Sequence, residues 1–393
     1  MKIQAIREAL TARNLDAIVL TDEKNRRYAT GFHSTAGALY VSHKQAVFYT
    51  DFRYIEAAKA QITNAEVREI GPGRSYAGVV NTLLREDGAA KVALEDDCLT
   101  HADYLRWSDS LCAEAVAQGD LMSTLRTVKT QGELDKIIRA QRIAERAFEE
   151  ILSEIKPGVS EREIAARLTY LMLHYGAENM SFDPIVVSGA NSSKPHGVPS
   201  DKLIESGDFV TMDFGCICYG YCSDMTRTVA VGSVTDEMRR VYQTVLDAQL
   251  AGIQTARAGV TGQAVDGAAR QIITDAGYGD CFGHGFGHGV GLFIHEAPNA
   301  STRSEQPLPA GAVLTAEPGI YLPGRLCQFG LAHCSRQGEH RKDRQTQDRK
   351  DHHQRHRAAD RSAPPHGCTS AASCKANKVS SLPVCCTDKS ALR

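Results

Sequence analysis

The sequence lacks any long apolar segment and any recognisable secretion signal. The apolar stretch Ala17–Leu20 is among the longest, and its four residues fall far short of the roughly 20 that span a bilayer. The first eight residues, MKIQAIRE, contain neither an uninterrupted apolar core nor a small-residue cleavage site. We therefore expect no membrane partner and a cytoplasmic location.

The sequence also lacks the cysteine spacings of a zinc site and any phosphate-binding glycine loop near the N-terminus. Its 12 cysteines are expected to be thiols in the cytoplasm. Cys216, Cys218 and Cys222 are interpreted as small buried side chains in a hairpin rather than as metal ligands. With 42% apolar and 23% charged residues, the 393-residue chain fits two globular domains.

The net charge of −2 conceals an abrupt change of composition near residue 325. Residues 1–324 contain 31 Lys and Arg against 41 Asp and Glu, a balance of −10. Residues 325–393 contain 14 against 6, a balance of +8. We therefore divide the chain into an α/β domain (1–126), a second domain (130–324) and an irregular basic tail (325–393).

Two helices of the second domain begin with the same local signal. Thr130 with Glu133, and Ser160 with Glu163, form capping boxes that precede apolar residues at helical spacing. Strands are expected within 183–188, 208–215 and 225–232. The residues that could carry chemistry follow these helices.

Two aspartates lie where neighbouring strands are expected to meet. Asp213 follows an alternating strand pattern in Met-Asp-Phe-Gly, and Asp224 begins Asp-Met-Thr-Arg-Thr eleven residues later. A hairpin between them would bring both carboxylates to the same end of a sheet. Aspartates at strand ends are more often turn residues than ligands, so this pair alone is weak evidence.

A histidine–glycine cluster makes a metal or catalytic site the better interpretation. His284, His288 and His295 fall within twelve residues and are interleaved with glycines, which let the backbone approach a ligand closely. Glu317 follows in Thr-Ala-Glu-Pro-Gly-Ile-Tyr. Aspartate, histidine and glutamate together suit manganese, cobalt, iron or zinc in a centre that could contain two metals and activate water.

In combination these motifs resemble the pita-bread metallopeptidases: methionine aminopeptidase, Xaa-Pro aminopeptidase and Xaa-Pro dipeptidase. The resemblance covers almost all of residues 1–324. The Ser188-Gly-x-Asn-x-x-x-Pro-His196 pattern and the N-terminal α/β domain favour the proline-specific branch. Creatinase has the same fold but no paired aspartates, so Asp213 and Asp224 argue against it.

The resemblance implies a fold, a reaction and roles for individual residues. It implies a creatinase/prolidase-like α/β N-terminal domain, a pita-bread catalytic domain, hydrolysis of Xaa-Pro peptide bonds and a homodimer. Two divalent metal ions, with manganese favoured, would be bound by Asp213, Asp224, His288 and Glu317. Glu317 would also shuttle a proton. His295 would bind substrate and assist proton transfer, His196 would lie at the scissile carbonyl, and His284 would flank the proline pocket.

The sequence departs from the family after Gly324. The family's second metal-bridging glutamate, in a strand resembling Val-Arg-Ile-Glu-Asp, is absent, and Glu339 is the only glutamate after Glu317. The closing strands of the catalytic domain are therefore expected to be missing. We predict weak metal occupancy and impaired activity.

Three interpretations of the tail remain open. It is a disordered basic extension, a nucleic-acid-binding or metal-binding extension, or the product of a reading-frame slip near Arg325, which we favour. We expect no nucleic-acid partner, because basic runs are usually just solvated. The alternative function for the whole chain is a non-catalytic peptide-binding protein that keeps the fold without the metals.

Overall fold

The computed structural model describes residues 1–324 and the backbone of two further strands, 326–329 and 335–336. Apart from those strands, the predicted tail of residues 325–393 and the frame-slip interpretation lie outside the described residues. Within the described part of the chain, no helix is both long and apolar enough to span a membrane.

The N-terminal domain is a six-stranded mixed sheet with helices packed on it. Its helices are α1 (Lys2–Ala12), α2 (Glu23–Thr30), α3 (Ile55–Gln61), α4 (Tyr76–Asp87), α5 (His101–Ser110) and α6 (Gly119–Thr127). Its strands are β1 (Ala17–Leu20), β2 (Ala38–Ser42), β3 (Ala46–Thr50), β4 (Glu66–Glu69), β5 (Lys91–Leu94) and β6 (Glu114–Ala117). The strand order is β4-β3-β2-β1-β5-β6, with β1, β2 and β3 antiparallel and β4, β5 and β6 added in parallel.

Among the described residues, four α-helices support the second domain: α7 (Gln131–Ile151), α8 (Glu161–His174), α9 (Asp236–Thr255) and α10 (Gly262–Asp275). Both predicted capping boxes are present, at Thr130 with Glu133 and at Ser160 with Glu163. In each, the glutamate carboxylate accepts from the backbone N–H of the N-cap residue, and the Ser160 hydroxyl also accepts from the N–H of Glu163. The first two helices of this domain therefore begin where the sequence predicted.

The central sheet of the second domain has the order β12-β9-β8, built from β8 (Ile185–Ser188), β9 (Phe209–Phe214) and β12 (Met225–Ala230). The short strands β7 (Asn179–Met180), β10 (Cys216–Cys218) and β11 (Tyr221–Cys222) form a second sheet beside it. Cys216, Cys218 and Cys222 are buried in this hairpin, which confirms their interpretation as core residues.

Short strand pairs form the rest of the described part of the second domain. They are β13 (Gly287–Gly289) with β14 (Glu296–Ala300), β15 (Val313–Leu314) with β18 (Ser335–Arg336), and β16 (Gly319–Leu322) with β17 (Leu326–Phe329). Backbone pairing thus continues past Gly324, where the sequence analysis placed the end of the domain. Gly324 adopts a φ of 70° in the turn between β16 and β17.

One hydrophobic core crosses the junction between the two domains. Leu121 and Met122 of α6 belong to the same buried cluster as Leu134 of α7 and as Val290 and Leu292, which follow β13. This shared core fixes the N-terminal domain against the segment that carries the histidine–glycine cluster.

Candidate metal centre

The paired strands β9 and β12 bring the two aspartates to one end of the central sheet. Asp213 lies opposite Thr226, and Met225, the residue after Asp224, lies opposite Phe214. The Thr226 hydroxyl donates a hydrogen bond of 2.9 Å to Asp213 Oδ1. The hairpin predicted from the spacing of the aspartates is therefore confirmed, although β10 and β11 extend it beyond a simple turn.

His288, in β13, and Glu317, in the segment between β15 and β16, reach the same place. The carbonyl of His288 accepts from the N–H of Thr315 at 2.8 Å, and the carbonyl of Phe286 accepts from the N–H of Glu317 at 2.8 Å. His288 Nδ1 lies 3.0 Å from the carbonyl oxygen of Gly289, which leaves Nε2 facing the carboxylates. His288 Nε2 is 3.0 Å from Glu317 Oε1 and 3.5 Å from Asp224 Oδ2.

Glycine makes this close approach possible. A Cβ on Gly287 would overlap the backbone oxygen of Thr315, and one on Gly289 would overlap the backbone of Ala297. Both positions therefore need glycine if β13 is to pack on its neighbours at backbone distance. The sequence suggested that these glycines let the backbone approach a ligand. In the structure they let β13 approach the backbone of neighbouring segments of the chain.

The charged groups at this site are partly shielded from solvent and perturb one another. Burial and the charge of Glu317 raise the pKa of Asp213 to about 7, and burial with the charge of Asp213 raises that of Asp224. Burial opposes ionisation of His288, but the hydrogen bond and charge of Glu317 prevail and raise its pKa to about 9. The same ion pair outweighs burial at Glu317 and lowers its pKa.

The donor set fits a divalent metal ion. Ligand atoms of Asp224, His288 and Glu317 all lie within 4.8 Å of one another. Asp213 is outside that group of three, yet it is close enough for its charge to act on Asp224. Buried carboxylates that repel one another retain protons unless a cation compensates them, and oxygen and imidazole donors are the ligands of manganese, cobalt, iron and zinc.

Two of the other predicted histidines lie beside this group. The rings of His288 and His295 are in edge-to-face contact, with centroids 4.3 Å apart. His284 Nε2 is 2.7 Å from the Tyr321 hydroxyl, and the charge of Glu317 acts on the His284 ring.

The third, His196, is exposed in the loop that follows β8. Burial and the charge of His288 lower the pKa of His295, and the charge of His196 contributes to the same shift. His196 is thus within electrostatic range of the site.

Several residues around the site were missed by the sequence analysis. Thr315 donates a 2.6 Å hydrogen bond to Glu317 Oε1 and accepts one of 2.9 Å from the N–H of His288. Its position two residues before Glu317 was the only available signal, since alternate strand residues share a face.

Glu296, next to His295, is buried with Lys129, whose Nζ is 2.7 Å from its carboxylate, and Arg126 at 3.5 Å. No local pattern marks such distant pairs.

Comparison with known proteins identifies the family. Residues 135–340 match metallopeptidase family M24, and residues 2–128 match the creatinase/prolidase N-terminal domain. The chain is 35% identical to the Xaa-Pro dipeptidase of Pyrococcus horikoshii over 324 residues, which cover 82% of this chain and 90% of the relative. The chain belongs to metallopeptidase family M24. The resemblance inferred from its motifs is confirmed.

Solved structures of other M24 proteins have the same architecture. The Xaa-Pro dipeptidase from Bacillus anthracis superposes with a TM-score of 0.82 at 43% identity, covering 86% of this chain and 94% of that one. An X-Pro aminopeptidase from Thermotoga maritima superposes with a TM-score of 0.78 at 37% identity, covering 84% and 96%. The expected fold of this M24 metallopeptidase, a creatinase/prolidase-like N-terminal domain followed by a pita-bread domain, is confirmed.

Proposed function

We propose that this M24 metallopeptidase hydrolyses the Xaa-Pro bond of dipeptides or of peptide N-termini. The observation that carries the proposal is the close group of Asp224, which is buried, with the half-buried His288 and Glu317. Relatives named Xaa-Pro dipeptidase and X-Pro aminopeptidase support the choice of substrate.

In this proposal Asp213, Asp224, His288 and Glu317 hold two divalent metal ions, with manganese favoured over cobalt, zinc or iron. When bound, the ions supply Lewis-acid activation of the carbonyl group and of water. Glu317, fixed by Thr315 and His288, moves a proton between water and the leaving amine. His295 and His196 bind the substrate around the scissile carbonyl, and His284 borders the proline ring.

We infer that the second metal position is weakened in this chain. The family's second bridging glutamate is absent from the sequence, and Glu339 is the only glutamate after Glu317. Two adjacent cations would then have less compensating negative charge. A binding protein that keeps the fold without turnover is the alternative that this absence favours.

Proline release from an Xaa-Pro dipeptide and from an Xaa-Pro-Xaa tripeptide, with added manganese, tests the function. An Xaa-Ala dipeptide and the Asp224→Asn variant are the matched controls, and neither is expected to react. Elemental analysis of bound metal tests the second position, for which incomplete dinuclear occupancy is expected. Two bound metal ions per chain with rapid turnover would contradict a weakened second metal position. Metal-bound protein that cleaves no Xaa-Pro bond would contradict the proposed peptidase activity.

We further propose that the domain boundary lies between residues 126 and 130, and that the protein acts as a cytoplasmic homodimer. Six cysteines in the described part of the chain are free thiols, which agrees with a reducing compartment. Sedimentation velocity tests the dimer, and a monomer across the accessible concentration range contradicts it.

A further inference from the structure

The loop that carries His196 is tied at both ends to one buried carboxylate. Glu161 lies in the first turn of α8 and is fully buried. Its Oε1 accepts from the N–H of Ser188 at 2.6 Å and from the Ser188 hydroxyl at 2.9 Å. Its Oε2 accepts from the N–H of Ser200 at 3.1 Å and from the Ser200 hydroxyl at 2.6 Å.

The middle of the loop is held by the same group. Asn191 Nδ2 lies 3.3 Å and 3.2 Å from the two oxygens of Glu161. All of these donors are neutral N–H and O–H groups, and Lys202 Nζ donates a 3.0 Å hydrogen bond to the Ser188 hydroxyl that bonds Glu161. A carboxyl group is costly to bury unless its hydrogen bonds are complete, so the loop conformation and the burial of Glu161 depend on each other.

Packing completes the arrangement around His196. Gly197 is buried, and a Cβ there would lie 2.6 Å from Val187 Cγ1. The Ser193 hydroxyl accepts a 3.3 Å hydrogen bond from the N–H of Gly324, at the end of β16. The loop is therefore fixed against β8 on one side and against the turn after β16 on the other, while the His196 side chain remains exposed.

We propose that Glu161 is a positioning residue that holds His196 at the substrate site. This inference rests on the proposed function, because His196 has a catalytic role only if the protein cleaves peptides. Glu161 does not touch the proposed ligands. It acts through the loop of residues 188–200, so its removal should slow turnover without releasing metal.

Glu161→Gln is a sharp test, because each oxygen of Glu161 accepts from a backbone N–H that cannot reverse. The amide group of glutamine must face one of those two donors. The control is Glu163→Ala, which removes the capping carboxylate from the same helical turn. Glu163 accepts from the N–H and hydroxyl of Ser160 rather than from the loop.

The kinetic experiment is a double-mutant cycle with His196→Ala on an Xaa-Pro dipeptide. We expect Glu161→Gln to lower kcat on the order of tenfold to a hundredfold, with KM and bound manganese little changed. The double variant should be no slower than His196→Ala alone. The proposal is overturned if the reductions in kcat of the two single variants multiply in the double variant. It is also overturned if Glu163→Ala loses as much kcat as Glu161→Gln.

Hydrogen exchange measured by mass spectrometry tests the loop separately from the reaction. We expect Glu161→Gln to lose protection within residues 188–200, whereas Glu163→Ala loses it only at the start of α8. If the wild-type protein cleaves no Xaa-Pro bond, the proposed function fails and exchange alone decides this inference. Equal exchange of the loop in both variants overturns it. Should Glu161→Gln not fold, Ser200→Ala removes one donor to Glu161 and supports the same comparison.

Discussion

At the scale of single residues, Thr315 has an unusual position. Its hydroxyl contacts the backbone of one proposed ligand, His288, and the carboxylate of another, Glu317. Because it is fully buried, it can orient both groups without competition from water.

Replacing Thr315 by valine keeps the shape and removes this hydroxyl. We expect Thr315→Val to weaken manganese binding about 10- to 100-fold, as is typical when a group supporting metal ligands is lost. Isothermal titration calorimetry measures the change. Thr211→Val is the matched control, since Thr211 is equally buried and its hydroxyl hydrogen-bonds that of Thr228 on the neighbouring strand. Equal weakening in both variants would show that any buried hydroxyl has this effect.

The perturbed pKa values predict opposite effects of pH on metal binding and on the metal-free protein. The pKa of His288 is raised to about 9 and that of Asp213 to about 7, and metal must displace both protons. Manganese affinity should therefore rise between about pH 6 and pH 9. A pH-independent affinity contradicts the ligand assignment.

Without metal, the raised pKa of His288 stabilises the folded state below the unfolded value of about 6.5, and this contribution is lost as pH rises through 9. The raised pKa of Asp213 acts in the same direction. Between about pH 4 and pH 7 its carboxyl loses a proton more readily in the unfolded chain than in the folded protein, which lowers the free energy of unfolding. The Tm of chelator-treated protein should fall over the pH range in which manganese affinity rises. A rising Tm contradicts this expectation.

At the scale of elements, the strand β13 depends on its glycines. Gly287→Ala would force β13 away from Thr315, so we expect a loss of about 1–3 kcal/mol in the free energy of unfolding, together with weaker metal binding. Gly283→Ala is the control, because a Cβ there meets nothing within 4 Å. Both substitutions reduce the entropy of the unfolded chain to the same extent. The difference in urea unfolding between the two variants therefore measures the clash of the new Cβ at position 287 with Thr315.

The elements also show what sequence patterns can predict. Helices α7 and α8 were predictable because their capping boxes are local, and the β2–β3 hairpin because both strands are apolar runs. The outer strands β4 and β6 carry mixed polar residues and give little local signal.

At the site, the family resemblance proposed Asp213, Asp224, His288 and Glu317 as ligands, and the structure brings Asp224, His288 and Glu317 within 4.8 Å of one another. The hydrogen bonds of Thr315 and Glu161 and the Arg126–Glu296 ion pair depend on tertiary packing. No local sequence pattern encodes them.

At the scale of the whole molecule, buried charges join the two domains beside His295. Arg126 contacts Glu296 across the junction and donates to Asn25, whose amide donates a 2.6 Å hydrogen bond to Glu95. Burial raises the pKa of Glu95 to about 7 despite two backbone hydrogen bonds. Charged groups from both domains therefore depend on one another inside a shared interior.

Glu296→Ala would leave Lys129 and Arg126 as buried cations without their carboxylate. We expect it to reduce the free energy of unfolding by about 3–5 kcal/mol, measured in urea. Glu305→Ala, at an exposed glutamate of the same domain, should change it by less than about 0.5 kcal/mol. Similar losses in the two variants would mean that the charges at the junction are not coupled to folding.

The core that runs from α6 into the segment after β13 also has a consequence for recombination between M24 relatives. A crossover placed at residue 128 would separate Met122 from Leu292, although the two belong to one buried cluster. Chimeras that exchange only the N-terminal domain would thus combine mismatched halves of a single interior. Exchanges that carry residues 290–296 along with the N-terminal domain would keep Met122 with Leu292, whereas Leu134 and Val313 of the same cluster would still come from the other parent.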